Sequence, residues 1–294
     1  INLDHLRLNY VAFRGLVQPE VKLVAMVKAF AYGSGDWEVA QALAAEGIDY
    51  LAVAYTSAGI ALRTHGISTP IMVMNADPEH VSQLFRFDLE PVVYGFPFLK
   101  RYLEAGRRAQ ADGLPLHIKV DTGMSRLGFL PQEIDSLVAV LKTAPKVELK
   151  SVMSHLAIAD ESRGDGYTHG QAFQFKAFAE QLGAALGQEP LRHLVNTAGA
   201  LRFPEYHFDM VRLGIGLYGT SPLEPALQGG SQALELREVG SLHSVVTQIH
   251  TYPKGQAIGY GGSSITERAS KIATVAIGYA DGIRRSLSNG KMSF

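Results

Sequence analysis

The chain has 294 residues, 47% of them hydrophobic, a formal net charge of −1 and no cysteine. That length suits one large globular domain or two. The balanced charge argues against nucleic acid or an anionic membrane as a partner, and the missing cysteines exclude disulfides and thiolate metal sites. No apolar run is long enough to cross a bilayer and no secretory leader opens the chain, so neither a membrane nor a metal is expected. The sequence opens at Ile1 and stops within "GKMSF" at Phe294, which reads as a piece of a longer protein.

Short β-branched runs alternate with stretches of helical periodicity. The runs are "KLVAMV", "YLAVAY", "IMVMN", "EPVVY", "LHIKVD", "VELKSVMSH", "RHLVN" and "FDMVRLG". Between them lie segments such as "DWEVAQALAAEG", "PFLKRYLEAGRRAQA" and "THGQAFQFKAFAEQLGAALG", many of them closed by Gly or Pro. Eight strands separated by helices predict parallel βαβ units. Eight units ending near Arg212 take roughly 210 residues, short for a (β/α)8 TIM-type barrel but within its range. An open doubly wound sheet is the competing architecture. After Gly219 the texture changes: "TSPLEPALQGGSQALE" reads as a linker, and "LREVGSLHSVVTQIHTY", "GQAIGYGG" and "KIATVAIGYADG" read as strands with Gly-rich turns. The expected division is therefore 1–232, an α/β barrel, and 233–294, an all-β domain present only in part.

In a barrel the chemistry gathers at the carboxyl ends of the strands. Read in order, those ends are Lys28 with Tyr32 just beyond, Tyr55, Asn75, Tyr94, Lys119 with Asp121 and Arg126, His155, Asn196 with Thr197, and Arg212 followed by "GIGLYG". All eight strands deliver a hydrogen-bonding group at one end, which points to a pocket. Each residue also has a plainer reading. An isolated strand-end lysine usually snorkels to water, Arg126 and Asp121 can pair to hold a loop, and a buried histidine is most often a satisfied core residue. A lysine among cations in an apolar pocket, however, loses proton affinity and becomes a nucleophile.

"GIGLYG" formally matches the dinucleotide fingerprint, but that motif belongs in the first βαβ unit and opens a helix. Here it follows the last strand and leads into a linker. The loops after strands seven and eight are the usual phosphate site of a barrel. The backbone of Gly214 and Ile215 and the hydroxyl of Thr197, expected to N-cap a short helix, suit that ligand. Spacing alone thus reaches a nucleophilic lysine and a phosphate-bearing cofactor, and goes no further.

"VKAFAYGSG" resembles the cofactor-lysine motif of the alanine racemase family, whose usual form is V-K-A-N-A-Y-G-H-G. The likeness continues in register through "INLDHLRLNY", "HIKVDTGMSRLGF", "SHLAIADE", "HLVNTAG", "VRLGIGLYG", "IGYGG" and "IGYADGIRRSLSNG". Phe30 and Ser34 replace the usual Asn and His, and Thr197 stands where Ser is common. The family's last stretch, with a Met-Asp pair near the substrate and a late tyrosine on the phosphate, is absent.

The resemblance implies interconversion of L- and D-alanine on pyridoxal 5′-phosphate in the cytoplasm, supplying D-alanine for peptidoglycan. It makes Lys28 the carrier of the cofactor aldimine and, with Tyr260, one of two bases. It assigns the phosphate to Tyr32, Thr197, Gly214 and Ile215, the pyridine face to His155, the cofactor pocket to Asn196 and the pyridine nitrogen to Arg212. Arg126 is implied to meet the cofactor phenolate and the substrate carboxylate, and Lys119 to be carbamylated and to orient that arginine. Tyr279 and Arg285 line the entry and, with Tyr260, come from the partner in a head-to-tail homodimer. Another barrel racemase acting on serine, lysine or many amino acids shares these motifs. A non-catalytic pyridoxal-phosphate protein is the remaining alternative, against which the β-domain and the retention of both bases argue.

Overall fold

A strand buried on both faces reads as a continuous apolar run, and the eight runs form parallel strands for that reason. They are β1 (Lys22–Met26), β2 (Tyr50–Val53), β3 (Ile71–Val73), β4 (Glu90–Val93), β5 (Leu114–Lys119), β6 (Val147–Met153), β7 (Leu191–His193) and β8 (Met210–Leu213). The computed structural model describes residues 1–111, 113–144, 147–228 and 234–287. The strands pair in parallel in the order β7-β6-β5-β4-β3-β2-β1-β8. Between the two ends of that order, the Asp209 N–H donates to the Arg192 carbonyl (3.1 Å) and the Arg212 N–H to the Val195 carbonyl (3.2 Å). These bonds bring the ring to near closure, so the barrel expectation holds over the open sheet.

Side-chain alternation divides the barrel into two apolar regions. Val24, Met26, Tyr50, Ala52, Met72, Val92, Met153 and Met210 form one buried cluster. Their strand neighbours Leu23, Ala25, Leu51, Val53, Ile71 and Val73 join the larger cluster shared with the helices. One helix that the alternating runs do not predict, Leu3–Leu16, precedes β1. Asn2 caps it by accepting the N–H groups of Asp4 and His5. It buries Leu6, Asn9, Tyr10 and Phe13, the i, i+3, i+4, i+7 pattern of one helical face. Buried Asn9 donates to the carbonyls of Leu217 and Arg237 and accepts the Arg237 N–H, fastening this helix to the segment after β8.

The chain divides into compact units Ile1–Gly240 and Ser241–Phe294; the expected junction at 232/233 falls outside the described residues. The second unit contains two antiparallel pairs, β9 (Val246–Tyr252) with β12 (Ser270–Val275), and β10 (Ala257–Ile258) with β11 (Ser264–Ile265). It has no α-helix among its described residues. No described helix of the chain is long and apolar enough to cross a membrane.

Candidate active site

Lys28 stands just past β1, where the backbone does something the sequence does not announce. Ala29, Phe30, Ala31 and Tyr32 all have φ between 50° and 56°, one turn of left-handed helix. For L-residues this costs roughly 1–2 kcal/mol each. Fully buried Ala31 holds the turn, with its N–H on the Val27 carbonyl at 3.0 Å. Tyr32 packs on Tyr218 with ring centroids 4.8 Å apart, and the Tyr218 hydroxyl donates to the Met26 carbonyl at 3.0 Å. The turn reverses the chain within one residue of the strand and sends Lys28 and Tyr32 into the same cavity.

That cavity, about 290 Å³, opens at the carboxyl ends of β1, β5, β6, β7 and β8, with Met74 just past β3 on its wall. It gathers Lys28, Tyr32, Lys119, Arg126, His155, Asn196, Thr197, Arg212, Gly214 and Ile215, the whole expected set from the barrel. Tyr55, Asn75 and Tyr94 do not join it. The ends of β2, β3 and β4 line a separate cavity of about 560 Å³ with Asp77 and His80, so the strand ends do not make one pocket. Tyr260, Tyr279 and Arg285 belong to the second unit. Each is exposed, Tyr260 at 92% in the turn Tyr260–Gly262.

Local structure explains how each barrel residue arrives. After β5 the chain loops out and returns, with the Phe129 N–H on the Lys119 carbonyl and the Asp121 N–H on the Phe129 carbonyl. Gly128, at φ +144°, is required there, because a Cβ would stand 2.3 Å from the Asp121 nitrogen. Asp121 accepts the N–H groups of Gly123 and Ser125. Its loop-holding role is thus met by backbone, and no ion pair with Arg126 occurs among the described residues. Asn196, rather than Thr197, caps the helix Thr197–Arg202 by accepting the Gly199 N–H at 3.0 Å. The Thr197 hydroxyl instead accepts the Gly214 N–H at 3.0 Å. After Gly214 comes the single turn Ile215–Tyr218, not the long helix of a dinucleotide motif.

Two contributors escaped the sequence reading. Asp160 is the one carboxylate lining the cavity among the described residues; it lies inside the quoted "SHLAIADE" but carries no distinguishing spacing. Buried Gln171 donates to the His155 carbonyl at 3.0 Å and accepts the Ala157 N–H at 2.9 Å, holding the loop that carries His155. A glutamine within a helical repeat gives no such signal.

The electrostatics follow from crowding four cations into a sheltered space. Burial, then Arg126 and Arg212, pushes the Lys28 ammonium below its ordinary range. Burial, then Arg212 and Arg126, brings Lys119 down to about 8. His155 falls to about 3, by burial first and then by Arg212, so it is neutral at physiological pH. Burial lowers Arg212 to about 9, which leaves it charged. Arg212 donates from Nη1 to the Nδ1 and carbonyl of His193, both at 3.0 Å, and from Nη2 to the carbonyls of Ser154 (2.7 Å) and Leu194 (2.8 Å). His155 Nδ1 lies 3.2 Å from Nη2. Of the five guanidinium donors, only Nε–H has no partner among the described residues. Gly214 leaves the space that a Cβ would fill 2.8 Å from the Tyr32 hydroxyl. An amine easily freed of its proton, an uncommitted guanidinium donor and a cation-rich cradle fit an anionic aromatic aldehyde such as pyridoxal phosphate.

The family model "Alanine racemase, N-terminal domain" matches residues 1–222, and "Alanine racemase, C-terminal domain" matches residues 239–294. The chain is 36% identical over 291 residues to alanine racemase 1 of Oceanobacillus iheyensis, covering 98% of this chain and 76% of the relative. It is 38% identical over 283 residues to the alanine racemase of Synechocystis, covering 96% and 74%. Among solved structures, alanine racemase from D-cycloserine-producing Streptomyces lavendulae superposes with a TM-score of 0.89 at 33% identity, covering 98% and 75% of the two chains. Alanine racemase from Bacillus anthracis with bound L-Ala-P superposes with a TM-score of 0.86 at 31% identity, covering 96% and 72%. The chain belongs to the alanine racemase family.

Proposed function

We propose that the chain binds pyridoxal 5′-phosphate on Lys28 and interconverts L- and D-alanine, with Lys28 and Tyr260 as the two proton-transfer groups. The observation that carries this reading is the convergence of the ten barrel residues on one cavity, with the Lys28 amine among them and held below its ordinary range. The Tyr32 and Thr197 hydroxyls and the Gly214–Ile215 backbone hold the phosphate. Neutral His155 offers its ring face, and Asn196 fixes the wall of the pocket by capping its helix. Bound pyridoxal phosphate supplies an electron sink that makes the α-hydrogen of an amino acid acidic.

The chain's own residues then govern the proton. Racemisation removes it from one face and returns it on the other, so two groups are needed. Lys28, its proton affinity lowered by burial and then by Arg126 and Arg212, serves one face. The Tyr260 hydroxyl, from the second unit of a partner chain in a head-to-tail homodimer, serves the other. Arg212 would meet the ring nitrogen of bound pyridoxal phosphate; since arginine does not release its proton, that nitrogen would stay unprotonated, which would restrain transamination. Arg126 pairs with the substrate carboxylate. Carbamylated Lys119 supplies an anion among Lys28, Arg126 and Arg212, and Tyr279 and Arg285 form the entry. The enzyme acts in the cytoplasm and supplies D-alanine for peptidoglycan.

Borohydride reduction of the loaded protein, followed by peptide mass analysis, tests the assignment. The cofactor mass is expected on the Lys28 peptide, and Lys28→Ala should lose both that adduct and alanine racemisation. Reduction onto another lysine in the wild-type chain overturns it.

A further inference from the structure

Arg212 is buried, yet it forms no ion pair among the described residues, and a buried charge without a counter-charge is costly. A continuous hydrogen-bonded chain leads away from it through the barrel interior. Arg212 Nη1 lies 3.0 Å from His193 Nδ1, and His193 Nε2 lies 2.8 Å from Ser151 Oγ. Ser151 Oγ lies 2.6 Å from His117 Nδ1, and His117 Nε2 lies 2.9 Å from Glu90 Oε2. The five residues come from β8, β7, β6, β5 and β4 in turn. Glu90 is the first residue of β4, at the amino end of the strands, whereas the cavity lies at their carboxyl ends. His117, Ser151 and His193 are fully buried.

We propose that Glu90 is a positioning residue for Arg212: through His117, Ser151 and His193 it sets a one-directional chain of hydrogen bonds that compensates the guanidinium charge and leaves its Nε–H for the cavity. The direction follows from the two ends. Arginine only donates and a carboxylate only accepts, so His193 Nδ1 must accept from Arg212. In a neutral His193 the proton then sits on Nε2 and is given to Ser151 Oγ. The single serine hydrogen goes on to His117 Nδ1, which places the His117 proton on Nε2, facing Glu90. Every member has one consistent role. A doubly protonated His117 would leave the serine hydrogen without an acceptor in the chain.

The titration behaviour agrees with this geometry. His193 is held well below the ordinary histidine range, by burial and then by Arg212, so it is neutral. Burial alone would raise the Glu90 carboxyl, but the hydrogen bond from His117, the charge of Lys150 and a hydrogen bond from Tyr50 outweigh it and keep the carboxyl below its usual value. The chain therefore joins one formal negative charge to one formal positive charge through two neutral rings and a hydroxyl. The inference deepens the proposed function, on which the role of the Nε–H rests. The coupling itself is a property of the barrel alone.

The test is nitrogen NMR on full-length protein labelled with 15N at histidine and arginine, with and without pyridoxal phosphate. Wild type should show His117 and His193 each as a single Nε2–H tautomer. Glu90→Gln has the same volume but ends the chain in a group that both donates and accepts. It should turn His117 into a mixture of tautomers, carry a smaller tautomer shift to His193 and move the Arg212 Nε signal. Ser151→Ala should uncouple the ends, so that adding Glu90→Gln to it no longer affects His193. If Glu90→Gln unfolds the barrel, Glu90→Asp takes its place; it keeps the acceptor-only end and should keep single tautomers. An unchanged His193 and Arg212 in folded Glu90→Gln, or equal His193 shifts with and without the serine, overturns the proposal. Coupled histidines in a protein that does not racemise alanine would sustain this inference and sink the functional reading instead.

Discussion

The Thr197 hydroxyl accepts the Gly214 N–H at 3.0 Å, tying the first residue of a helix to the loop that follows β8. That bond uses one of the hydroxyl's two lone pairs and leaves its hydrogen for an anion, while the Tyr32 hydroxyl lies 2.8 Å from where a Gly214 Cβ would stand. Gly214→Ala should therefore separate folding from cofactor binding. The new Cβ would meet the hydroxyl end of the Tyr32 side chain, 2.8 Å away, rather than backbone, so the barrel should keep its Tm within a few degrees. Displacing Tyr32 removes a phosphate partner, and loss of one hydrogen bond to a charged group, about 1.5–3 kcal/mol, should weaken pyridoxal phosphate binding roughly 10- to 100-fold. Fluorescence titration of the cofactor-free variant measures this. Wild-type affinity would remove Tyr32 from the phosphate site.

The left-handed turn makes a second prediction. Phe30 has φ 56° and is 62% exposed, so it bears conformational strain with little packing in return. Asparagine, the usual residue of the family here, visits this conformation readily, and glycine does so without steric cost. Phe30→Asn and Phe30→Gly should each stabilise the cofactor-free protein by about 1 kcal/mol, or about 2–4 °C in Tm. Phe30→Val, β-branched, should destabilise it by about 1–2 kcal/mol. Equal melting temperatures across the three variants would mean that the turn relaxes in solution.

Why that turn stayed hidden is instructive. "KAFAYG" contains no residue before Gly33 that asks for positive φ, and the turn is held by the burial of Ala31 and by the pairing of Tyr32 with Tyr218, 186 positions later. The barrel, by contrast, was legible because burying both faces of a strand forces continuous apolar runs, and Gly or Pro ends many intervening helices. The cavity residues are legible as strand ends, but which ends share a cavity is not, and Tyr55, Asn75 and Tyr94 line a different one. Glu90, His117, Ser151 and His193 look like four unrelated polar residues. Only their common inward register on neighbouring strands joins them.

Lys119 ties stability to pH. Its folded pKa of about 8 lies below the ordinary value of 10.5, so between those values the unfolded chain binds more protons than the folded one. Stability from this group therefore rises as pH climbs from about 8 to 10.5, and the full penalty, about 3 kcal/mol, applies below that window. In cofactor-free protein without dissolved carbon dioxide, Lys119→Met should be the more stable form at pH 7.5 in urea unfolding. The difference should shrink towards pH 10.5. Added bicarbonate should stabilise wild type alone, because carbamylation places an anion among Lys28, Arg126 and Arg212, and 13C-labelled bicarbonate should give a carbamate signal absent from Lys119→Met. A wild-type chain that takes up no label and ignores bicarbonate would leave Lys119 a plain buried amine.

The placement of Tyr260 leads to the last prediction. It sits 92% exposed on a turn of the second unit, whereas Lys28 lies in the barrel cavity of the first. If each working site takes its lysine from one chain and its tyrosine from another, the inactive variants Lys28→Ala and Tyr260→Phe must complement one another. In a mixed dimer one site regains both groups while the other loses both. Random assortment in a two-fold dimer gives about half mixed dimers, so roughly a quarter of all sites should recover. A site built within a single chain would stay broken in every combination, because each variant chain carries its own defect. The measurement is alanine racemisation after subunit exchange, with mixed dimers counted by native mass spectrometry of differently tagged chains. Activity no higher than that of the single variants, in a sample shown to contain mixed dimers, means that Tyr260 serves its own chain or is not the second base.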